Sequence, residues 1–287
     1  MSTVDTSVAL TTLANLKEIL NIGVSTYDSP LSLVINQVSA RVNKITGRQF
    51  VATEHCEFQR PCGDIIDVNN FPVIYVARVA YGTFDALDAT YAGSDIRATA
   101  EVYADGVRLL SVAAAGTATE STLTFATYPT LSTMATAISA VADWTGANNV
   151  STDGKSCNLY PTAGMDATGT ATMTWPDQSD TDYDVEHSSG RIRIRENNDF
   201  NVGSGGSRSL TGQYMIEYKA GYATLPADID MACTEWCQEV WGRMQVNAAL
   251  ASEGHGTGSA SLVNAVMTRD GVLARLAEYT DIGMGNL

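Results

Sequence analysis

The sequence predicts an α+β protein: a helical bundle core with a small antiparallel β-sheet or hairpin, interrupted by an inserted β-rich domain. Apolar residues recur at helical spacing near both ends of the chain, and short β-like runs lie beside those helices. Between them, a long stretch turns to Ala, Thr and Gly. With 45% hydrophobic and 17% charged residues, the 287-residue chain has enough apolar side chain to bury a core and too little charge for a disordered one. The boundaries follow from composition: 1–84 and 183–287 form the core, and 85–182 the insert.

The first block, residues 6–49, reads as a helical hairpin. Thr11-Thr12 precedes Leu13, Leu16, Ile19 and Leu20, an apolar stripe that Asn21, Ile22 and Gly23 stop. A second helix opens at Asp28-Ser29-Pro30, with Ser29 as N-cap and Pro30 at the first helical position. Its apolar face is Leu31, Val34, Ile35, Val38, Val42 and Ile45, and Gly47 ends it. Strands then follow at Glu54–Phe58, Ile65–Val68 and Val73–Tyr81, with Phe71-Pro72 at a strand end. Strands resume over Tyr183–Arg195 and Gln213–Tyr218. The stretch between, Asn201–Ser209 with Gly203, Gly205 and Gly206, reads as a flexible hairpin tip.

The insert reads as strand, strand, helix, strand, strand. Arg97–Tyr103 and Val107–Val112 flank Asp105-Gly106, a strong hairpin signal, and Thr122–Phe125 is extended. Leu131, Met134, Ala135, Ile138 and Val141 give a helical face ending near Trp144. Cys157–Tyr160 and Thr170–Trp175 complete the segment. It holds twelve acidic and three basic residues, so −9 of the chain's net charge of −15 belongs to it. The last block is helical. Pro226-Ala227-Asp228 starts a helix bearing Ile229, Met231, Ala232, Trp236, Val240, Trp241 and Met244. Beyond Gly254, Gly256 and Gly258, a final helix is expected over Ser261–Tyr279, with Leu262, Val266, Leu273 and Leu276 on one face.

The acidic balance excludes a conventional nucleic-acid reader, which carries a basic stripe, while allowing a wall past which DNA slides without sticking. No run approaches the roughly 18 apolar residues of a membrane span. Met1–Leu10 has neither the basic nor the apolar region of an export signal, so synthesis in the cytosol is expected. The five cysteines, Cys56, Cys62, Cys157, Cys233 and Cys237, read as free thiols. Cys233 and Cys237 lie one helical turn apart, but no His pair completes a zinc set. His55, His187 and His255 stand apart, and nucleophile-elbow, phosphate-loop, dinucleotide and His-Glu-x-x-His motifs are absent. Asp177, Asp180, Asp182 and Asp184 lack the glycine and the terminal glutamate of a calcium loop and read as a solvated acidic linker. No catalytic, cofactor or metal site is expected.

More informative is Arg191-Ile192-Arg193-Ile194-Arg195, which on a strand places three guanidinium groups on one face. With Arg208, these are candidates for a DNA channel or a subunit interface, facing phosphate or an acidic neighbour. The alternative is an ordinary solvent-facing strand with acidic cross-strand partners. The helix bearing Trp236, Trp241 and Met244 is wide enough to pack both the N-terminal hairpin and a neighbouring subunit.

In order, these blocks resemble the head–tail connector (adaptor, head completion) family of tailed phages. The resemblance lies in Leu13-Ala14-Asn15-Leu16-Lys17-Glu18-Ile19-Leu20, Gly47-Arg48-Gln49-Phe50, Phe71-Pro72-Val73-Ile74, Tyr218-Lys219-Ala220-Gly221-Tyr222 and Leu225-Pro226-Ala227-Asp228-Ile229. It covers residues 6–84 and 183–250, about half the chain, and leaves out the insert. It implies a virion structural protein made in the host bacterial cytoplasm and placed at the neck, without enzymatic activity. Its partners would be the portal protein, a neck, stopper or tail protein, and copies of itself in a dodecameric ring. Genomic DNA would pass through the lumen without sequence-specific binding. Gly203, Gly205 and Gly206 would form a docking loop, and Leu262, Val266, Leu273 and Leu276 would meet the portal. An alternative from another class is a virion accessory module of the tail or neck, with an immunoglobulin-like or carbohydrate-binding insert. An enzyme built on the insert's carboxylates is a third.

Overall fold

The computed structural model describes residues 2–63, 65–151, 153–180, 183–194, 213–252 and Tyr279. Among these, fourteen strands in four sheets stand against four α-helices. The expected helical bundle core is therefore corrected: the described residues are mostly antiparallel β-sheet, with three of the helices lining one of three hydrophobic cores and the other packed in another.

Two helices open the chain, α1 (Leu13–Ile19) and α2 (Asp28–Thr46). Thr12 caps α1, its hydroxyl accepting from the Asn15 amide at 3.1 Å. Ser29 is not the N-cap of α2. A 3₁₀ turn over Ser25–Tyr27 runs straight into the helix, which begins at Asp28. Pro30 still fits, because amides of the first helical turn have no intrahelical acceptor to lose. Gly47 (φ 72°) ends α2, and Ile45, expected on its buried face, is 38% exposed.

Then come β1 (Thr53–Gln59), β2 (Ile65–Asp67) and β3 (Val73–Tyr81). The middle of the chain supplies β4 (Phe84–Tyr91), β5 (Arg97–Tyr103), β6 (Gly106–Val112), β7 (Ala118–Thr124), α3 (Leu131–Ala140), β8 (Trp144–Asn148), β9 (Thr162–Asp166), β10 (Ala171–Trp175) and β11 (Gln178–Asp180). The chain continues through β12 (Tyr183–Glu186), β13 (Arg191–Ile194), β14 (Tyr214–Ala220) and α4 (Ala227–Ser252). Two sheets, β1-β14-β3-β11 and β12-β13-β2, enclose a core of Ile66, Val73, Val79, Ile192, Ile216 and Tyr218. Against them lies the helical core, in which Leu16, Leu31, Ile35 and Val42 meet Phe50 and the α4 residues Ile229, Cys233, Cys237 and Trp241. The buried face of α4 has helical period because every third or fourth residue points inward.

The third core draws only on residues between Ala86 and Met173. It lies between the sheets β10-β4-β8 and β7-β6-β5-β9, with α3 packed on β8 and β4. Several strands here differ from the sequence expectation. Trp144 opens β8 and does not end a helix, a 3₁₀ turn over Ser156–Asn158 stands where a strand over Cys157–Tyr160 is expected, and β4 and β9 lie where no strand is expected. Their residues explain this: β4 carries two aspartates, and β8 and β9 each contain a glycine. Propensity disfavours such strands, and cross-strand packing overrides it. Ala86, Ala89, Ala98, Ala100 and Ala171 are fully or almost fully buried, so small side chains let the layers approach closely.

Gly146 marks the closest approach of α3 to the sheet. A Cβ there would stand 2.4 Å from the Ala135 carbonyl oxygen and 2.8 Å from Ile138 Cβ. The obstacle is largely helix backbone, which cannot rotate away. Gly146→Ala is expected to destabilise the fold by about 1–3 kcal/mol through overpacking, read as a lower denaturant midpoint. A midpoint equal to that of the wild type would show that α3 can lift off β8 freely.

Residues 155–160 join the middle unit to the strand body. Asn158, 2% exposed, donates through Nδ2 to Glu217 on β14, and Lys155 Nζ approaches the other Glu217 carboxylate oxygen at 3.2 Å. Tyr160 packs against Phe58, with ring centroids 5.1 Å apart, and donates to the carbonyls of Gly82 (2.9 Å) and Gln213 (3.1 Å). Burial pushes its hydroxyl pKa up to about 12. Arg78 Nε donates to Ser179 Oγ at 2.8 Å, and its guanidinium also reaches the Pro176 carbonyl.

Candidate functional site

Residues from opposite ends of the chain converge beneath the helical layer. Arg48, 5% exposed, lies 3.8 Å from the centroid of the Phe71 ring and donates to the Phe71 carbonyl. The Gln49 amide donates to Asn70 Oδ1 at 2.8 Å, and the Asn70 amide to the Tyr218 hydroxyl at 3.1 Å. From the other end, the Gly221 amide donates to the Pro72 carbonyl at 2.9 Å, and the Tyr222 amide to the Phe50 carbonyl at 2.7 Å. Gly221 has φ 107° and its Cα faces the backbone of Phe50 and Val51. Thus Gly47-Arg48-Gln49-Phe50, Phe71-Pro72 and Ala220-Gly221-Tyr222 form one node that turns the chain from sheet into helix. Beside it His55 stacks on Tyr218 at 5.2 Å, and burial holds its pKa below the usual histidine value. Tyr279 completes the node: its ring meets Phe50 edge-on at 5.8 Å, and its hydroxyl donates to Asp228.

Above the node, an open groove of about 1170 Å³ runs along the N-terminal segment and the starts of α1, α2 and α4. Its apolar lining includes Val4, Leu10, Leu13 and Leu225, bordered by Ser and Thr hydroxyls. Its two carboxylates are engaged. Asp28 is paired with Lys17 at 2.6 Å, and Asp230 accepts from Asn15 Nδ2 at 3.0 Å. The groove lining offers apolar contact and hydroxyl hydrogen bonds. Among the described residues, no group of three or more His, Cys, Asp or Glu is placed to hold a metal ion, and no helix is long and apolar enough to cross a membrane.

The residues singled out by sequence fall in several places. Arg191 and Arg193 lie on the exposed face of β13, with Ile192 and Ile194 buried behind. Arg191 Nε bonds Asp67 Oδ1 at 3.0 Å across β2, and Arg193 stands opposite Asp184 on β12. The acidic cross-strand partners are therefore present within the chain. Trp241 is buried in the helical core, edge-on to Tyr27 at 5.6 Å, Trp236 lies at that core's margin, and Met244 is exposed. Arg195, Arg208, Gly203, Gly205, Gly206, Leu262, Val266, Leu273 and Leu276 lie outside the described residues. Two features escaped sequence reading: the groove, whose lining is scattered over more than two hundred residues, and the 155–160 joint, whose Lys155, Asn158 and Glu217 carry no spacing signal.

No protein-family model matches the chain, and no curated protein does. A solved structure described as "Neck of empty GTA particle computed with C6 symmetry" is similar over 98% of this chain and 96% of that chain. The two are 12% identical, with a TM-score of 0.35, too low to establish a common fold.

Proposed function

We propose that this chain is a structural subunit of the neck of a tailed phage-like particle, an adaptor that assembles as a ring, docks on a portal and extends the DNA channel. The observation that carries the reading is the node. Three of the five sequence signatures resembling the connector family, drawn from both ends of the chain, meet in space as one turn from sheet to helix. Their role is to shape a body, which suits assembly and not catalysis. Exposed apolar residues on that body, Ile19 at 52%, Val24 at 55% and Met231 at 56%, offer surface to a neighbouring copy. Closed rings need two different faces on each subunit, and the open groove supplies a concave one. The middle unit has a core of its own and, with most of the net negative charge, offers a surface for another virion protein.

Mass photometry and negative-stain imaging of the full chain, alone and with a cognate portal, test the proposal. Closed rings or a portal complex are expected. Ile19→Glu combined with Met231→Glu should abolish them while leaving the thermal midpoint unchanged, because both positions are exposed. A chain that stays monomeric in both settings would sink the reading. Binding of a glycan array by that monomer would favour the accessory-module alternative.

A further inference from the structure

We propose that Cys56 and Cys157 are a dithiol pair that closes into a disulfide, locking the middle unit onto the strand body at the 155–160 joint. This inference stands whether or not the chain forms rings. Cys56 lies on β1, opposite Glu217 of β14, and Cys157 lies in the 3₁₀ turn that carries Asn158 into that sheet. Cys56 Sγ is 3.1 Å from the Cys157 carbonyl oxygen and 3.2 Å from Asn158 Oδ1. Cys157 Sγ lies 3.5 Å from the same Asn158 oxygen. Two sulfurs from residues 101 apart in sequence thus converge on one amide oxygen. That amide is itself fixed, because its nitrogen donates to Glu217. The remaining cysteines are arranged differently. Cys233 and Cys237 lie one turn apart on α4, where helix geometry disfavours a bridge, and Cys62 is exposed, outside the 155–160 joint.

The surroundings also assign the order of events. The Cys56 thiol donates toward Cys157 and the Lys155 ammonium lies nearby, which together hold the Cys157 thiol below its ordinary pKa. Cys56 is held up, by that same hydrogen bond and by burial. Cys157 is therefore the attacking thiolate. A small-molecule disulfide such as oxidised glutathione serves as oxidant. The Cys157 thiolate attacks one of its sulfurs, the glutathione S–S bond breaks, and one glutathione thiolate leaves. That thiolate takes the Cys56 proton. The new Cys56 thiolate attacks the Cys157 sulfur, the mixed disulfide breaks, and the second glutathione thiolate leaves to take the proton that Cys157 had released. Two protein sulfurs lose two electrons in all, and two glutathione sulfurs gain them.

Incubation of the folded full chain in oxidised or reduced glutathione, followed by alkylation and peptide mass mapping without reduction, tests the pair. In the oxidised sample a peptide linking Cys56 to Cys157 should be the main cross-linked species, and dithiothreitol should remove it. The oxidised chain should melt at a higher temperature than the reduced one, since a cross-link spanning so many residues restricts the unfolded chain. Cys62→Ser should behave as wild type, whereas Cys56→Ser and Cys157→Ser should lose both the linked peptide and the shift. Recovery of Cys56 and Cys157 as free thiols, or as separate glutathione adducts, while Cys62 reacts would overturn the proposal. The wild-type peptide map decides this even if a serine variant fails to fold.

Discussion

Gly221→Ala is expected to lower stability more than any other single-methyl addition in the body. The residue sits at φ 107°, where an L side chain is strained, and an added Cβ would lie 2.8 Å from the Phe50 and Val51 backbone. Strain at such a conformation costs about 1–3 kcal/mol, and overpacking against unyielding backbone about as much again, so about 2–5 kcal/mol is expected. That is a large fraction of the roughly 5–15 kcal/mol that holds a typical domain folded. Gly116 separates the two causes: its φ is 84°, but a Cβ there meets nothing within 4 Å. Gly116→Ala should therefore show the strain alone. Denaturant titration of both variants gives the comparison. Equal midpoint shifts would mean that the close approach at Phe50 contributes nothing.

The second large effect is expected at Glu217. Glu217→Ala removes the acceptor of Asn158 Nδ2 and one carboxylate partner of Lys155. Asn158 is almost fully buried, so its amide would be left without that acceptor at a cost of about 1–3 kcal/mol. Lys155→Met should cost less, about 1 kcal/mol at most, because the lysine side chain is 52% exposed and water replaces the lost partner. The difference should also be visible in limited proteolysis. Cleavage near residues 155–160 should quicken in Glu217→Ala and change little in Lys155→Met. The opposite ranking would show that charge pairing, and not the buried amide, holds the joint.

Both positions show how unevenly the fold could be read. Gly221 stands in a legible signature, Ala220-Gly221-Tyr222 before Leu225-Pro226, because a turn glycine and a helix-opening proline leave local marks. α1, α2 and α4 were legible for the same reason: Leu16, Leu31, Ile35 and Ile229 repeat at helical spacing. β3 was legible from its run of branched and aromatic residues, and the β5–β6 hairpin from Asp105-Gly106. Glu217, by contrast, is one acidic residue in a strand, and nothing near it in sequence announces Asn158. β4, with Asp85 and Asp88, and β8, with Gly146, read poorly because their strand character comes from partners far along the chain.

By itself, the sequence determined the local elements that a few neighbouring side chains can specify: turn glycines, most of the helical faces and the acidic middle stretch. The tertiary structure alone decided that β-sheet outweighs helix. It also decided that Arg191 meets Asp67 and that Cys56 and Cys157 share the oxygen of Asn158. The physical reason is range. Helix and turn preferences are set within a few residues, whereas sheet pairing, buried polar contacts and thiol proximity depend on which distant segments packing brings together.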